Sequence, residues 1–323
     1  MAVLSKIKSL LKKEEKAPEP KLRTWPNDPK LLPWTDQPDA EQEVERRLAA
    51  GKLTPRDAEL ARKWIKDGYI VLQQHFTGSD VDKLNGEIDA LWTAEKPHDG
   101  LNFHDVIQED GAPATLTISH RDLLAIPAEE REKARLRGKW RIHGFHFHSK
   151  TSMNIFKDES MRKTVSMLLG TETQPQYTIN FHWGSQHGLH QDLMVFHVHP
   201  ANYLVGAWIA LEDISPDCGP LVYSPGSHRM RMYHEYDNYP QTNLRTSDQE
   251  RRKRYEAHLA EEGSKFERHQ FIAKKGDVLL WHAMLLHGGD AIKNKALTRR
   301  SMVIHYMPPE MDKSKEVVGP FMW

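Results

Sequence analysis

At 323 residues, with 38% hydrophobic and 28% charged side chains, the chain is long enough for one large domain with a substantial buried core. Lys plus Arg and Asp plus Glu number 45 each, so the formal net charge is zero and no nucleic-acid partner is expected, because backbone binding needs a positive surface. The single cysteine, Cys218, excludes an internal disulfide and any multi-thiolate metal site, which leaves nitrogen and oxygen ligands for a metal.

Residues 1–22 combine Val3, Ile7 and Leu11 on one helical face with Lys6, Lys8 and Lys12 elsewhere, a pattern for a small docking helix or a frayed tail. The first thirty residues lack a secretory h-region, and the apolar run 278–286 is about half of what a bilayer crossing needs. No transmembrane segment and a cytoplasmic location are therefore expected. Residues 23–40 contain four prolines and predict an extended arm whose Trp25 and Trp34 pack onto the domain, so 1–40 is read as a flexible tail and arm and 41–323 as one domain. Helices are predicted over 41–50 and after Thr54-Pro55, where Ala58, Leu60, Ala61, Trp64 and Ile65 precede Gly68; a strand follows over 69–74. Thr77 to Asp80 open a helix with Val81, Leu84, Ile88 and Leu91 on one face, suited to covering a sheet.

Residues 97–138 are irregular apart from a charged helix around 126–136. An alternating strand is predicted from Trp140 to His148, and a helix from Asp158 to Leu169. Most of 174–224 and 277–307 consists of short apolar runs broken by Gly, Pro and His, which predicts a mainly β fold with flanking helices: an antiparallel barrel or sandwich buttressed on one face. Between them lies a polar stretch, about 230–270, read as an exposed helical insertion or lid.

The chemistry concentrates in HGLHQDLMVFHVHP, residues 187–200. On a strand, His190 and Asp192 would leave the same face and grip one ion together. His287, in LLWHAMLLHGGD, closes an apolar run where a turn is expected at Gly288-Gly289. Two imidazoles and a carboxylate match the facial triad of non-haem iron(II) oxygenases, with three positions left for cosubstrate and oxygen; zinc hydrolases use the same ligands. His187, His197 and His199 are additional candidates near a substrate, whereas the spacing of His282 from His287 turns it to the other strand face as a structural residue.

The blocks LHQDLMVFHVHPANYLVGAWIALEDISPDCGPLVYSPGSHR, KKGDVLLWHAMLLHGGD and TRRSMVIHYMPP resemble the phytanoyl-CoA dioxygenase family of Fe(II)- and 2-oxoglutarate-dependent oxygenases, over roughly 67–309. The resemblance implies a double-stranded β-helix (jelly roll, cupin-like) core, with the metal on His190, Asp192 and His287. It places the basic partner of the far 2-oxoglutarate carboxylate on Arg299 or Arg300, with Arg299 preferred at the start of the last core strand. Trp208 is a candidate wall of the cosubstrate pocket, and Asn180 or Gln176 a candidate donor to the 2-oxoglutarate carboxylate. Gly219 and Gly226-Ser227-His228 fall in a turn and a corner, where His228 has a smaller chance of touching a ligand. Relatives often carry Gly-Ser after the distal histidine; this chain has Gly288-Gly289, for which Thr298 is a candidate compensation.

The implied activity is hydroxylation of an unactivated C–H bond of a small organic molecule by O2, releasing succinate and CO2; retention of Asp192 argues against halogenation. Specificity is expected from 97–155 and 230–270. Arg141, His143 and Phe145 on one strand face, and Arg231, Arg252 and Arg254 in the insertion, would suit an anionic substrate; natural products are a further class. A weak homodimer is allowed for. The alternatives are a non-redox cupin-like metal enzyme and a catalytically silent relative acting as a binding protein.

Overall fold

Helices come first in the chain and most strands later. The computed structural model describes residues 31–106, 117–137, 139–196, 198, 201–237, 239 and 242–309, so residues 1–22, Trp25, His197 and His199 lie outside the described part. Helices α1 (Ala40–Ala49) and α2 (Pro55–Asp67) pack against each other. Thr54 and Asp57 make a reciprocal capping box, Pro55 occupies the first turn, and Gly68 at φ 75° ends α2, so local sequence alone sets this helix's limits. Strand β1 (Tyr69–Leu72) and helix α3 (Gly78–Ala90) follow.

The stretch expected to be irregular holds β2 (Asn102–His104), β3 (Thr117–Ser119) and α4 (His120–Ala125), and the charged helix expected around 126–136 follows as α5 (Ala128–Arg137). The long strand expected over 140–148 is corrected to β4 (Arg141–His143). The chain turns at Gly144 into a 3-10 helix, Phe145–Phe147, which takes Phe145 off the alternating face. Helices α6 (Lys150–Phe156) and α7 (Glu159–Leu169) precede β5 (Gln174–Phe181), β6 (Val205–Ala210) and β7 (Leu221–Tyr223). Helix α8 (Gln249–Gly263) precedes β8 (His269–Gln270), β9 (Val278–His282), β10 (His287–Gly289) and β11 (Ser301–Met307).

The strands form two antiparallel sheets, one ordered β1-β9-β6-β11-β5-β4-β2-β3 and one ordered β10-β7-β8, the arrangement of a double-stranded β-helix. Period-two alternation splits the large sheet into two faces. Val205, Ala207, Ile209, Val278, Leu280, Met302, Ile304 and Tyr306 pack in a core shared with the helices. Trp208, Ala210, Leu279, Trp281 and Val303 turn the other way, into a cluster with Leu221 and Tyr223 of the small sheet. The functional cavity opens on this second face. Trp34 donates its indole N–H to the Met167 carbonyl at 2.8 Å and Asp36 pairs with His282 at 3.0 Å, tying residues before α1 to the core. Among the described residues no helix is long and apolar enough to cross a membrane.

Candidate metal centre

His190 and His287 are joined by a two-stranded bridge: His190 N–H donates to the His287 carbonyl at 2.9 Å and His287 N–H to the His190 carbonyl at 3.1 Å. Asp192 is not on a strand with His190. It opens a 3-10 turn, Asp192–Met194, whose Leu193 N–H is held by the Ala283 carbonyl at 3.0 Å. Nor do Gly288 and Gly289 form the expected turn; they pair with β7 in β10, and the turn comes earlier, between β9 and His287.

The ligand atoms of His190, Asp192 and His287 lie within 4.8 Å of one another. Each imidazole is oriented by its other nitrogen. His190 Nδ1 donates to the Gly188 carbonyl and His287 Nδ1 to the Leu285 carbonyl, both at 2.9 Å. A carbonyl can only accept, so the proton sits on Nδ1 and the Nε2 lone pair is left for a metal. Those Nε2 atoms stand 3.6 and 3.5 Å from Asp192 Oδ1. The other carboxylate oxygen, Oδ2, accepts from the Trp281 indole at 2.8 Å and from His305 Nε2 at 3.1 Å, which fixes Asp192 to offer one oxygen. Burial by itself would raise the Asp192 carboxyl, but His287, His190 and His305 hold it well below the ordinary carboxylate range. Burial lowers His287 to about 4, so both the carboxylate and this imidazole are in ligand form at neutral pH.

These groups line a cavity of about 660 Å³ together with Arg141, His187, Trp208 and Arg299. Arg299 is 2% exposed; among the described residues its Nε has no hydrogen-bond partner, and the side chain's hydrogen bond runs from a terminal nitrogen to the Trp183 carbonyl at 3.3 Å. The guanidinium lies 5.7 Å from the Phe181 ring and 5.6 Å from the Trp208 ring, and burial lowers it to about 10. A buried cation without an anion is costly, so this guanidinium fits a carboxylate that arrives with a ligand. The donor set and this arginine are what iron and a keto acid with a second carboxylate need.

Several expected contributors face elsewhere. Arg300 is held by Asp89 in a two-pronged pair at 2.9 Å and does not line the cavity. Asn180 falls on the opposite face of β5 from the cavity-lining Ile179 and Phe181, and Gln176 stands at a break in the pairing with β11, between Tyr177 and Pro175, outside the cavity lining. Asn180 is buried there with its amide unpaired among the described residues, and Gln176 donates to the Gln174 carbonyl. Thr298 bonds Glu212 at 2.8 Å, and His228 packs over Gly68 with Nε2 at 3.2 Å from the Ile65 carbonyl; neither reaches the site. Arg231, Arg252 and Arg254 do not line the cavity, and Arg254 pairs with Glu235. His282 is structural, accepting from Met284 N–H and pairing with Asp36. His187 does line the cavity, and burial lowers it to about 4. Sequence reasoning missed Trp281 and His305. His305 carried a signal, since Arg299, Val303 and His305 alternate along one strand, whereas Trp281 sits in an unbroken apolar run with none.

A double-stranded β-helix with two histidines and one aspartate converging on a point defines the class of non-haem iron oxygenase folds. The chain belongs to the family described as Phytanoyl-CoA dioxygenase (PhyH), whose profile matches residues 64–301. It is 32% identical over 137 residues to the peroxisomal phytanoyl-CoA dioxygenase of Bos taurus, a match covering 38% of this chain and 34% of that protein. The chain thus spans about a third of the length of that curated relative. Among solved structures it is similar to EctD from S. alaskensis with 2-oxoglutarate and 5-hydroxyectoine, at 20% identity and TM-score 0.55, covering 79% of this chain and 76% of that one. It is also similar to the non-heme alpha ketoglutarate dependent epimerase SnoN from nogalamycin biosynthesis, at 16% identity and TM-score 0.55, covering 79% and 84%. At these identities the likeness is one of fold.

Proposed function

We propose that the chain is an Fe(II)- and 2-oxoglutarate-dependent dioxygenase that hydroxylates an unactivated C–H bond of a small organic substrate with O2, releasing succinate and CO2. The observation that carries this reading is the meeting, in one cavity, of a two-histidine, one-carboxylate ligand set and a buried arginine that forms no ion pair among the described residues. A zinc hydrolase would use the three ligands but has no need of Arg299.

In this reading His190 Nε2, Asp192 Oδ1 and His287 Nε2 would hold the iron, and Arg299, beside Phe181 and Trp208, would pair with the far carboxylate of 2-oxoglutarate. Iron and a keto acid, when bound, would supply the oxidising chemistry that hydroxylation of carbon by O2 needs. The chain's own work is placement and exclusion. Trp281 and His305 keep Asp192 presenting one oxygen, which leaves adjacent positions for the cosubstrate. Phe196, Leu244 and Leu259 wall the rest of the cavity with hydrocarbon, keeping water from the reacting carbon. Helix α8, with Tyr255 and Leu259 buried, acts as the lid of this compartment.

The test is anaerobic titration of metal-free protein with Fe(II) and then 2-oxoglutarate, following the weak visible charge-transfer band of keto-acid chelation. The band is expected in the wild type and absent in His190→Ala and Asp192→Ala. Tight stoichiometric metal binding without a band would overturn the reading in favour of a non-redox metal enzyme.

A further inference from the structure

Gln191 stands between His190 and Asp192 and is buried. Its backbone is extended, at φ −116° and ψ 126°, so its side chain leaves the chain on the side opposite to theirs. The side-chain amide is clasped at both ends. Its nitrogen donates to the Met284 carbonyl at 2.9 Å, in the turn between β9 and His287. A carbonyl accepts only, so the amide oxygen faces Tyr255, whose hydroxyl donates to it at 3.2 Å. Tyr255 belongs to α8 and lines the cavity. One amide therefore joins the His190–Asp192 segment, the turn that leads into His287, and the lid helix.

This contact matters because α8 buries so little. Of its fifteen residues, Tyr255 and Leu259 alone are buried, and both line the cavity. Its ion pairs with Glu235, from Arg251 and Arg254, lie at the surface, where such pairs add little. A helix held this way is a unit that opens before the rest of the domain. Opening would strip Tyr255 from Gln191 and leave a buried amide oxygen without a partner, which is costly. We infer that Tyr255 is a positioning residue: acting through Gln191, it holds His190 and Asp192 in place for the metal when α8 is closed, and metal on those ligands in turn holds α8 closed. Of the proposed function, this rests only on the binding of a metal by His190, Asp192 and His287.

Two measurements test the linkage: the Mn(II) affinity of the metal-free protein, from the electron paramagnetic resonance signal of the free ion, and amide hydrogen exchange of α8 with and without saturating Mn(II). In the wild type Mn(II) should slow exchange in α8 by about threefold or more, the worth of one buried hydrogen bond. Tyr255→Phe keeps the ring and loses the hydroxyl; it should abolish the slowing and, because coupling is reciprocal, weaken Mn(II) by a similar factor. Gln191→Leu breaks the clasp from the other end and should do likewise. Leu259→Ala loosens α8 without touching the clasp, so exchange should rise with and without Mn(II) while the slowing persists. Protected β11 amides report an intact fold in each variant. Slowing that persists in Tyr255→Phe, or equal loosening of α8 in both states with unchanged affinity, would reduce Tyr255 to a structural contact and overturn the inference. Stoichiometric Mn(II) binding by the wild type with no response in α8 overturns it as well and leaves the oxygenase reading standing. A Tyr255-dependent response in a protein that gives no Fe(II)/2-oxoglutarate band sinks the oxygenase reading and keeps the clasp, whereas no Mn(II) binding at all would remove both.

Discussion

Arg299 and Arg300 are adjacent in sequence and opposite in fate. Strand alternation sends the first into the cavity beside Trp208 and the second outward to Asp89. That difference was legible, because period two admits only one of two neighbours to a face, and the same rule would have found His305. It could not place Asn180, because the phase of β5 was open without its partners: in the structure Ile179 and Phe181 take the cavity side, and Gln176 falls at a break in the register where alternation does not hold. An energetic asymmetry follows for Arg299. Removing one member of a buried charge pair costs about 2–5 kcal/mol of binding, so Arg299→Met should weaken 2-oxoglutarate at least roughly thirtyfold. The same change removes an uncompensated buried charge from the free protein, so its melting temperature without cosubstrate should rise. Arg300→Gln is the control and should leave cosubstrate affinity within about twofold. Titrating the charge-transfer band and melting the metal-free variants measure both effects; normal 2-oxoglutarate binding by Arg299→Met would remove that residue from the site.

At the scale of elements, helices with continuous 3.6-residue patterns and explicit caps, such as α2, α3 and α7, could be placed from sequence because their signals are local. Three-residue strands such as β2 and β3 could not, since β2 is placed by pairing with β4 and β3 by pairing with β2, and not by their own pattern. β10 shows the limit most clearly: its glycines look like a turn but are needed in a strand. A Cβ on Gly288 would stand 2.8 Å from the His187 carbonyl oxygen, and one on Gly289 would stand 2.7 Å from both Gln186 N and Ser185 Oγ. The segment 185–188 packs so closely on β10 that the serine common among relatives has no room at Gly289. Gly289→Ser should therefore destabilise the chain by about 1–3 kcal/mol, as overpacking does. Chemical denaturation of the metal-free variant checks this, and wild-type stability would show that the neighbouring loop yields freely.

For the whole molecule, the sequence conveyed the order of helices and strands but not the number of buried histidines that stay neutral. Burial lowers His146 to about 4, His182 to about 3 and His228 to about 3. In the unfolded chain each binds a proton below its ordinary pKa of about 6.5, whereas the folded chain refuses it. The unfolded state thus binds more protons between pH 6.5 and 4, and stability must fall as pH falls through that window, by at most about 1.4 kcal/mol per pH unit for each histidine. His190, raised above its ordinary value against the opposing effect of burial, works in the other direction and offsets a part. Urea unfolding of metal-free protein at pH 7.5, 6.0 and 5.0 should show a steady loss; a flat profile would mean that these side chains reach solvent.

The backbone bridge between His190 and His287, with Trp281 and His305 grasping Asp192 from behind, has one more consequence. Ordinary protein hydrogen bonds hold the three ligands in place, so the coordination shell belongs to the fold and the ion is a replaceable part. Activity can then be gained and lost by metal exchange, through iron supply, oxidation or displacement by another divalent ion, while the polypeptide itself stays unchanged.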